Sequence, residues 1–585
     1  MEGLKIHLKQ SAFLLLPHLG EVGRGLKTKL MAYIDTSSKS STDSFQKGNP
    51  MYIVLLTLVA TLGGLLFGYD TAVVNGAEKS LVEFYIYTMQ GADYIFSNDI
   101  MTVFSQYKIM MTLVLYFVFI VICGQIIRLL GTKKGGIISG VLLAGLTIWA
   151  VSFIGKALPE LTDTLNMKNT ADTVKGFVIA SALIGCVIGG ASAGFISKSF
   201  GRKNGLFIAA VAFFVSAIGA WRPESFNFFG TLDVYSFVVY RIIGGIGVGI
   251  ASMISPMYIA EIAPANVRGK LVSFNQFAII FGMLVIYFVN YFIAKQGDDQ
   301  WLTTEGWRLM FLSGAIPAGI FIVLLFFVPE TPRYLAMNGK DEKALKVLQK
   351  IAGKTDANKI LKDIKGTLHE INAPWLSYGF GVILIGIMLS VFQQAVGINV
   401  VLYYAGNIFR NMGASTDSSL LQTIIVGAVN LAFTVVAILS VDKFGRKPLM
   451  IIGSIGMAIS MIALGFTFYS GHVGILALVF MLTYTAAFAM SWGPVCWVLL
   501  AEIFPNSIRG ALSIAVAAQW IANWIVSLTF PMMNDNVWLT EKFHNGFSYW
   551  IYGIMGIFSA LFMWKFVPET KGKTLESIEE LWKKK

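Results

Sequence analysis

The sequence predicts an all-α polytopic membrane protein of fourteen spans, built as two repeated halves. Three observations predict it. Apolar residues gather in blocks of about twenty, the length needed to cross a bilayer as a helix. Basic residues collect in alternate loops. An ordered set of motifs occurs twice along the chain, the mark of an internally duplicated fold. Of the 585 residues, 56% are hydrophobic and 13% charged, and mean hydropathy is +0.68. A soluble domain carries about 25% charged residues, so this chain lacks the polar residues to cover a water-facing surface.

Residues 1–50 carry Lys5, Lys9, Arg24, Lys27 and Lys29 and only the short apolar run Ala12 to Leu16. A signal h-region takes about 7–15 apolar residues. The segment reads as a cytoplasmic N-terminal extension, or as translation from a start codon set too early. The expected spans are 52–77, 107–130, 136–155, 172–197, 205–221, 236–258, 271–293, 308–328, 376–402, 420–440, 448–468, 474–500, 511–531 and 546–567. They divide into an N-terminal bundle over 51–328 and a C-terminal bundle over 375–567. An intracellular helical linker, 329–374, lies between them, and a cytoplasmic tail, 568–585, follows. With the N-terminus inside, the inside loops hold Arg128, Lys133 and Lys134, then Lys198, Arg202 and Lys203, then Arg268 and Lys270, the basic stretch 333–370, Lys443, Arg446 and Lys447, and Arg509. The two-span insertion 107–155 passes the same test at its basic tip and preserves the parity of everything after it. The net charge of +12 follows from this positive-inside bias.

The repeat is ordered. Phe200-Gly201-Arg202-Lys203 recurs as Phe444-Gly445-Arg446-Lys447. Ala260-Glu261-Ile262, with Pro264 and Arg268, recurs as Ala501-Glu502-Ile503, with Pro505 and Arg509. Pro329-Glu330-Thr331 recurs as Pro568-Glu569-Thr570, and the offsets are 244, 241 and 239 residues. Two halves of one topology with a site between them suit alternating access, a need that receptors and channels do not share. The Gly-rich run Gly244-Gly245-Ile246-Gly247 lies in an apolar span and reads as a close helix contact rather than a phosphate cradle. Cys123, Cys186 and Cys496 sit in apolar blocks at spacings that suit neither metal nor disulfides. No nucleophile–base pair or metal cluster points to an enzyme, and no cofactor is expected.

Five stretches then carry a resemblance. Leu66-Phe67-Gly68-Tyr69-Asp70, Tyr240-Arg241-Ile242-Ile243-Gly244-Gly245, Pro329-Glu330-Thr331-Pro332-Arg333, Gln393-Gln394 with Gly397-Ile398-Asn399, and Pro568-Glu569-Thr570-Lys571-Gly572 together resemble the sugar porters of the major facilitator superfamily, and within that family the bacterial D-xylose/proton symporters. The resemblance runs from about Tyr52 to Leu581, interrupted at roughly 85–165. It implies twelve core helices in two six-helix bundles, leaving 107–155 as an extra hairpin that packs in lipid or docks a partner.

Sugar hydroxyls ask for side chains that both donate and accept, which favours Gln and Asn. The C–H faces of the ring suit aromatic surfaces. The spans contain Gln276, Gln393, Gln394, Asn399, Asn430 and Gln519, with Phe67, Tyr403, Trp497 and Trp520 near them. Gln393 and Gln394 lie about 100° apart on a regular helix and Asn399 about 140° beyond Gln394, so a break near Gly397 is needed for the three to converge. The resemblance implies that Gln276, Gln393, Gln394, Asn399, Trp497 and Gln519 bond the sugar, that Phe67, Tyr403 and Trp520 line the pocket, and that Asn430 is a further contact. Two departures follow. Met283 replaces a Gln near the sugar. The stretch from Arg509 to Trp520 is one residue short, which must be absorbed before Ala515 for Gln519 to face the pocket.

Asp70 is a carboxylate within the first span, where a charge costs at least about 2.5 kcal/mol and needs a partner or a proton. Arg241 is its natural partner, and the pair is expected to couple proton and sugar movement. In the resembling symporters a second carboxylate stands where this chain has Gly314. Arg202, Glu261, Arg268, Arg446, Glu502 and Arg509 are expected to form a cytoplasmic gate through ion pairs across the halves. Lys198 replaces the usual acidic or Asn residue of the first-half motif, while the second half keeps Asp442. The function expected is proton-coupled import of a monosaccharide such as D-xylose, by a monomer in the bacterial inner membrane with both termini cytoplasmic. A passive or hexose-preferring carrier and a non-transporting sugar sensor are the alternatives. Asp70 argues against passivity, transport assays separate the hexose-preferring carrier, and the short C-terminal tail argues against the sensor.

Overall fold

The structure, a computed structural model, describes residues 49–90, 93–155, 164–227, 232–264, 267–367, 374, 376–505, 508, 511–571 and 582. Fourteen helices in these residues are long and apolar enough to cross a membrane. They are α1 Pro50–Tyr85, α2 Ile100–Leu130, α3 Thr132–Gly155, α4 Thr164–Phe200, α5 Arg202–Trp221, α6 Asp233–Ile262, α7 Arg268–Ala294, α8 Asp299–Leu325, α9 Phe380–Asn411, α10 Thr416–Val441, α11 Arg446–Tyr469, α12 Ile475–Ile503, α13 Leu512–Asn534 and α14 Phe547–Phe566. Three amphipathic or short helices, Pro332–Met337, Asp341–Ala352 and Lys354–Thr367, lie between α8 and α9.

Local chemistry sets the ends. Asn49 accepts the Tyr52 N–H at 3.2 Å and Pro50 opens the first turn of α1. Gly201 at φ +96° and Gly445 at φ +91° turn the chain at the same point of each repeat, ahead of α5 and α11. The Gly-rich run in α6 meets α4 backbone to backbone: a Cβ on Gly245 would stand 1.7 Å from the Ala182 carbonyl oxygen. That is close helix packing, as the sequence suggests.

Two features depart from the expected all-helical chain. Tyr87–Gln90 and Asp93–Phe96 pair as a small antiparallel hairpin, with Tyr87 opposite Phe96. Aromatic rings stabilise it, Tyr87 meeting Tyr94 at 5.6 Å and Phe96 at 6.1 Å. The insertion that follows begins at Ile100, earlier than the expected 107. Its first helix, α2, docks on the N-terminal half through Tyr107 against Phe177 at 5.4 Å and the Tyr235 hydroxyl donating to the Val103 carbonyl. Its second, α3, packs on α2 and leaves Ile137, Val141, Ile148 and Val151 about 70% exposed, as in a helix facing lipid.

Helix α9 is discontinuous. One segment ends at Ala395, Gly397 adopts φ +91°, ψ 18°, and the second segment runs Ile398–Asn411. A break in a span frees backbone groups that lipid cannot satisfy. The Tyr484 hydroxyl of α12 supplies one partner by donating to the Val396 carbonyl at 2.7 Å. A Cβ on Gly397 would lie 2.7 Å from the Tyr552 ring of α14. Gly397→Ala is therefore expected to cost about 1–3 kcal/mol from the left-handed backbone alone, with the ring clash added. A thermal melt in detergent checks this, and a variant that melts with the wild type contradicts the requirement for Gly.

Candidate functional site

The break at Gly397 puts Gln393 and Gln394 at the end of one helical segment and Asn399 at the start of the next. Their side chains form a hydrogen-bonded chain. Asn399 Nδ2 donates to Gln394 Oε1, Gln394 Nε2 donates to Gln393 Oε1 at 3.1 Å, and Gln519 Nε2 of α13 also donates to Gln393 Oε1. Gln393 Nε2 donates to the Trp492 carbonyl at 3.2 Å, in the gap where α12 is itself interrupted between Met490 and Pro494. The four amides are 4%, 6%, 9% and 4% exposed in order of sequence, so none faces lipid. Gln519 faces the other amides despite the shortened stretch before it.

Aromatic walls join the halves beside this chain. Trp520, next to Gln519, meets Phe67 of α1 with ring centroids 5.6 Å apart. Gly190 of α4 gives the indole room, since a Cβ there would come within 3.3 Å of it. The Gln519 Oε1 and Trp520 Nε1 atoms are buried and have no hydrogen-bond partner among the described residues. One can accept and the other donate, a pair suited to hydroxyl groups. Tyr403 is buried one helical turn beyond Asn399, and its hydroxyl pairs with the Asn523 side chain. Asn523 and its partner Ser527 are polar residues of α13 that the sequence did not single out. Their signal was available, because they follow Gln519 at helical spacing. Gln276 of α7 and Trp497 of α12 are half-buried, and Asn430 of α10 is buried. Among the described residues no hydrogen bond ties these three to the amide chain. Met283 is buried in α7, its backbone N–H next to Gly68.

The carboxylate of α1 is paired. Arg241 Nη1 donates to Asp70 Oδ1 at 2.8 Å, and Nη2 donates to the Asp70 carbonyl at 2.9 Å. The guanidinium lies over the Phe311 ring at 5.2 Å. Among the described residues Asp70 Oδ2 has no hydrogen-bond partner, and Asp70 lines a cavity of about 10 Å³ with Ser216, Phe213 and Gly314 among others. That is roughly the room one water needs. Among the described residues no cluster of His, Cys, Asp and Glu could hold a metal ion.

Residues 56–582 match the family model described as sugar (and other) transporter. The chain belongs to the sugar porter family of the major facilitator superfamily. It is 54% identical over 548 residues to the D-xylose-proton symporter of Escherichia coli (strain K12), covering 91% of this chain and 96% of that one. The arabinose-proton symporter of Bacillus subtilis (strain 168) is 40% identical over 419 residues, 70% of this chain and 87% of that one. The xylose transporter XylE from E. coli, in a partially occluded inward open conformation, superposes with a TM-score of 0.70 at 51% identity, covering 90% of this chain and 100% of that one. These relatives are transporters, and the chain is a multi-span membrane transporter rather than an enzyme.

The repeated motifs of this sugar porter build two matching clusters at one end of the bundles. Arg202 Nη2 bonds Glu261 Oε1 at 2.7 Å, Thr331 donates to Glu261 Oε2, and Glu330 accepts the backbone N–H groups of Arg202 and Lys203. In the second half Arg446 bonds Glu502 at 2.9 Å, Thr570 donates to Glu502 Oε2, and Glu569 accepts the N–H groups of Arg446 and Lys447. Burial pushes the Glu330 carboxyl above its usual range, against the downward pull of its backbone donors. The pairs close within each half, not across the halves as the sequence suggested. The reason is spacing: each Arg sits beside the Glu of its own repeat, while buried cross-half ion pairs occur at the other end of the molecule, between Glu78 and Arg410 and between Lys175 and Asp535, with an exposed one between Lys295 and Asp417. Arg268 is exposed and, among the described residues, reaches only the Ala263 carbonyl at 3.5 Å. Arg509 lies outside the described residues, as do residues 1–48 of the N-terminal extension, and the Asp442 side chain is likewise outside them.

The Arg202–Glu261 pair is the more buried, at 8% and 11% side-chain exposure against 13% and 25% for Arg446–Glu502. Breaking a buried pair strands a charge at about 3–5 kcal/mol. Glu261→Gln is expected to lower the melting temperature in detergent more than Glu502→Gln. Equal losses, or the reverse order, contradict burial as the cause.

Proposed function

We propose that this chain imports a monosaccharide, D-xylose, together with a proton, by alternating access between its two bundles in a bacterial inner membrane, with both termini in the cytoplasm. The observation that carries this reading is the buried chain of carboxamides assembled at a helix break, with Trp520 of one half against Phe67 of the other. The names of the relatives support the sugar and the coupling ion.

In this reading Gln393, Gln394, Asn399 and Gln519 exchange some of their mutual bonds for sugar hydroxyls. Phe67, Tyr403 and Trp520 cover the ring's C–H faces. Gln276, Trp497 and Asn430 supply further contacts as the halves close. Asp70 takes a proton from outside, its pairing with Arg241 weakens, and the bundles pass to the inward state. Arg cannot usefully deprotonate, so Asp70 carries the proton. Arg202, Glu261, Arg268, Arg446, Glu502 and Arg509 belong to the cytoplasmic gate, whose two clusters stay intact within their halves and approach each other when the outer side opens. A proton falling through 100 mV yields about 2.3 kcal/mol, enough for a roughly fortyfold sugar gradient.

The test uses the full chain in proteoliposomes. The wild type is expected to alkalinise the outside when xylose is added there. Asp70→Asn is expected to keep counterflow exchange and lose the alkalinisation. If proton uptake survives unchanged in Asp70→Asn, the coupling role is wrong. If the wild type takes up sugar with no proton signal at all, the carrier is passive. A second measurement tests the sugar site. Gln393→Ala is expected to raise KM for xylose by roughly 5- to 150-fold, the equivalent of about 1–3 kcal/mol for stranded polar partners. A KM within twofold of wild type removes Gln393 from the site.

A further inference from the structure

Four charged side chains meet at the end of the molecule opposite the Glu261 and Glu502 clusters. Glu78 of α1 and Lys175 of α4 come from the N-terminal half. Arg410 of α9 and Asp535, which follows α13, come from the C-terminal half. Lys175 Nζ lies 2.7 Å from Glu78 Oε1 and 2.9 Å from Asp535 Oδ2, and Arg410 Nη2 lies 2.5 Å from Glu78 Oε2. The Glu78 and Lys175 side chains are 2% and 5% exposed. Lys175 stands 25 residues before Phe200 in α4, and at 1.5 Å per residue that is about 37 Å from the Arg202 end. The cluster therefore lies on the outer side of a chain whose basic motifs face inward.

The charges balance in a way that suits opening. The four sum to zero, and so does each half: Glu78 with Lys175, Arg410 with Asp535. The neighbouring Lys168 and Asp172 pair with each other inside the N-terminal half. Parting the halves leaves the Glu78–Lys175 bond intact and trades the two cross-half pairs for water. Removing one member while the halves stay closed strands a buried charge instead. The second segment of α9 is held to the same half by backbone contacts as well. Asn75 Nδ2 and the Tyr287 hydroxyl both donate to the Leu402 carbonyl at 3.0 Å.

We propose that Glu78, Lys175, Arg410 and Asp535 form a latch that closes the outer end of the sugar pathway and sets the balance between outward-open and inward-open forms. The proposal rests on the transport reading above. These are positioning residues, remote from the amide chain, and they act by weighting one arrangement of the halves against the other.

The experiment compares wild type, Arg410→Gln, Asp535→Asn and the conservative Arg410→Lys, all full-length in proteoliposomes. Amide hydrogen exchange is followed by mass spectrometry, and xylose uptake is measured over a concentration series. In Arg410→Gln and Asp535→Asn, exchange in 74–85 and 398–411 is expected to rise at least tenfold. KM for external xylose is expected to fall, because more of the carrier already faces out, and kcat is expected to fall because the outer end recloses less readily. Arg410→Lys is expected to retain most of the wild-type behaviour. Unchanged exchange and kinetics in both neutralised variants overturn the latch. So does a general rise in exchange through every span with KM unaltered, the signature of a folding defect. The exchange rise in the neutralised variants, beside a wild type that takes up no sugar, overturns the transport reading and leaves the outer closure standing.

Discussion

A carboxamide inside a membrane needs a partner, and Gln393 finds three because two helices are broken beside it. Its oxygen accepts from Gln394 and Gln519, and its nitrogen donates into the interruption of α12. An unbroken α9 would spread Gln393, Gln394 and Asn399 around its circumference, at about 100° per residue. At least one would then face lipid or apolar packing at a cost of several kcal/mol. The left-handed turn at Gly397 removes that conflict. The aromatic contact between Trp520 and Phe67 forms where the resulting polar patch meets the other half.

The same rule governs the charges. Each half ties its own basic motif to its own acidic one, Arg202 with Glu261 and Arg446 with Glu502, and each caps the following helix with a half-buried carboxylate, Glu330 or Glu569. These matched clusters tie each bundle end to itself. Among the described residues the buried ion pairs between halves occur at the far end, through Glu78, Lys175, Arg410 and Asp535, with an exposed pair, Lys295 with Asp417, also joining the halves. Contacts inside a half survive any rigid-body movement of the bundles, whereas contacts between halves must change with it. The division of charges into these two kinds follows the mechanical division of the molecule.

Much of the architecture was legible in the sequence because the bilayer imposes a simple code. Length, apolarity and alternating loop charge mark the spans, and the helix break was legible because Gly397 stands between amides that a regular helix would separate. Other features were hidden. The hairpin Tyr87–Phe96 depends on aromatic pairs across strands of four residues, too short to show a period. The direction of the Arg202 and Arg446 pairs depends on which Glu lies within reach, and the one-letter pattern is the same for either choice. The meeting of Glu78, Lys175, Arg410 and Asp535 joins four elements distant in the chain, each charge looking alone like an ordinary span end.

The sequence by itself determined the spans, the two-fold repeat and the inventory of amides, rings and charges, since each depends on local composition or spacing read against one periodicity. Only the tertiary structure decided which of these groups touch. Gln519 reaches Gln393 across 126 positions, and Arg410 reaches Glu78 across 332. Gln276, Asn430 and Trp497 stand outside the bonded amide chain although their chemistry is similar. Such pairings arise from the rotation and closeness of whole helices, which glycine contacts such as Gly245 on Ala182 set, and no pattern along the chain encodes that distance.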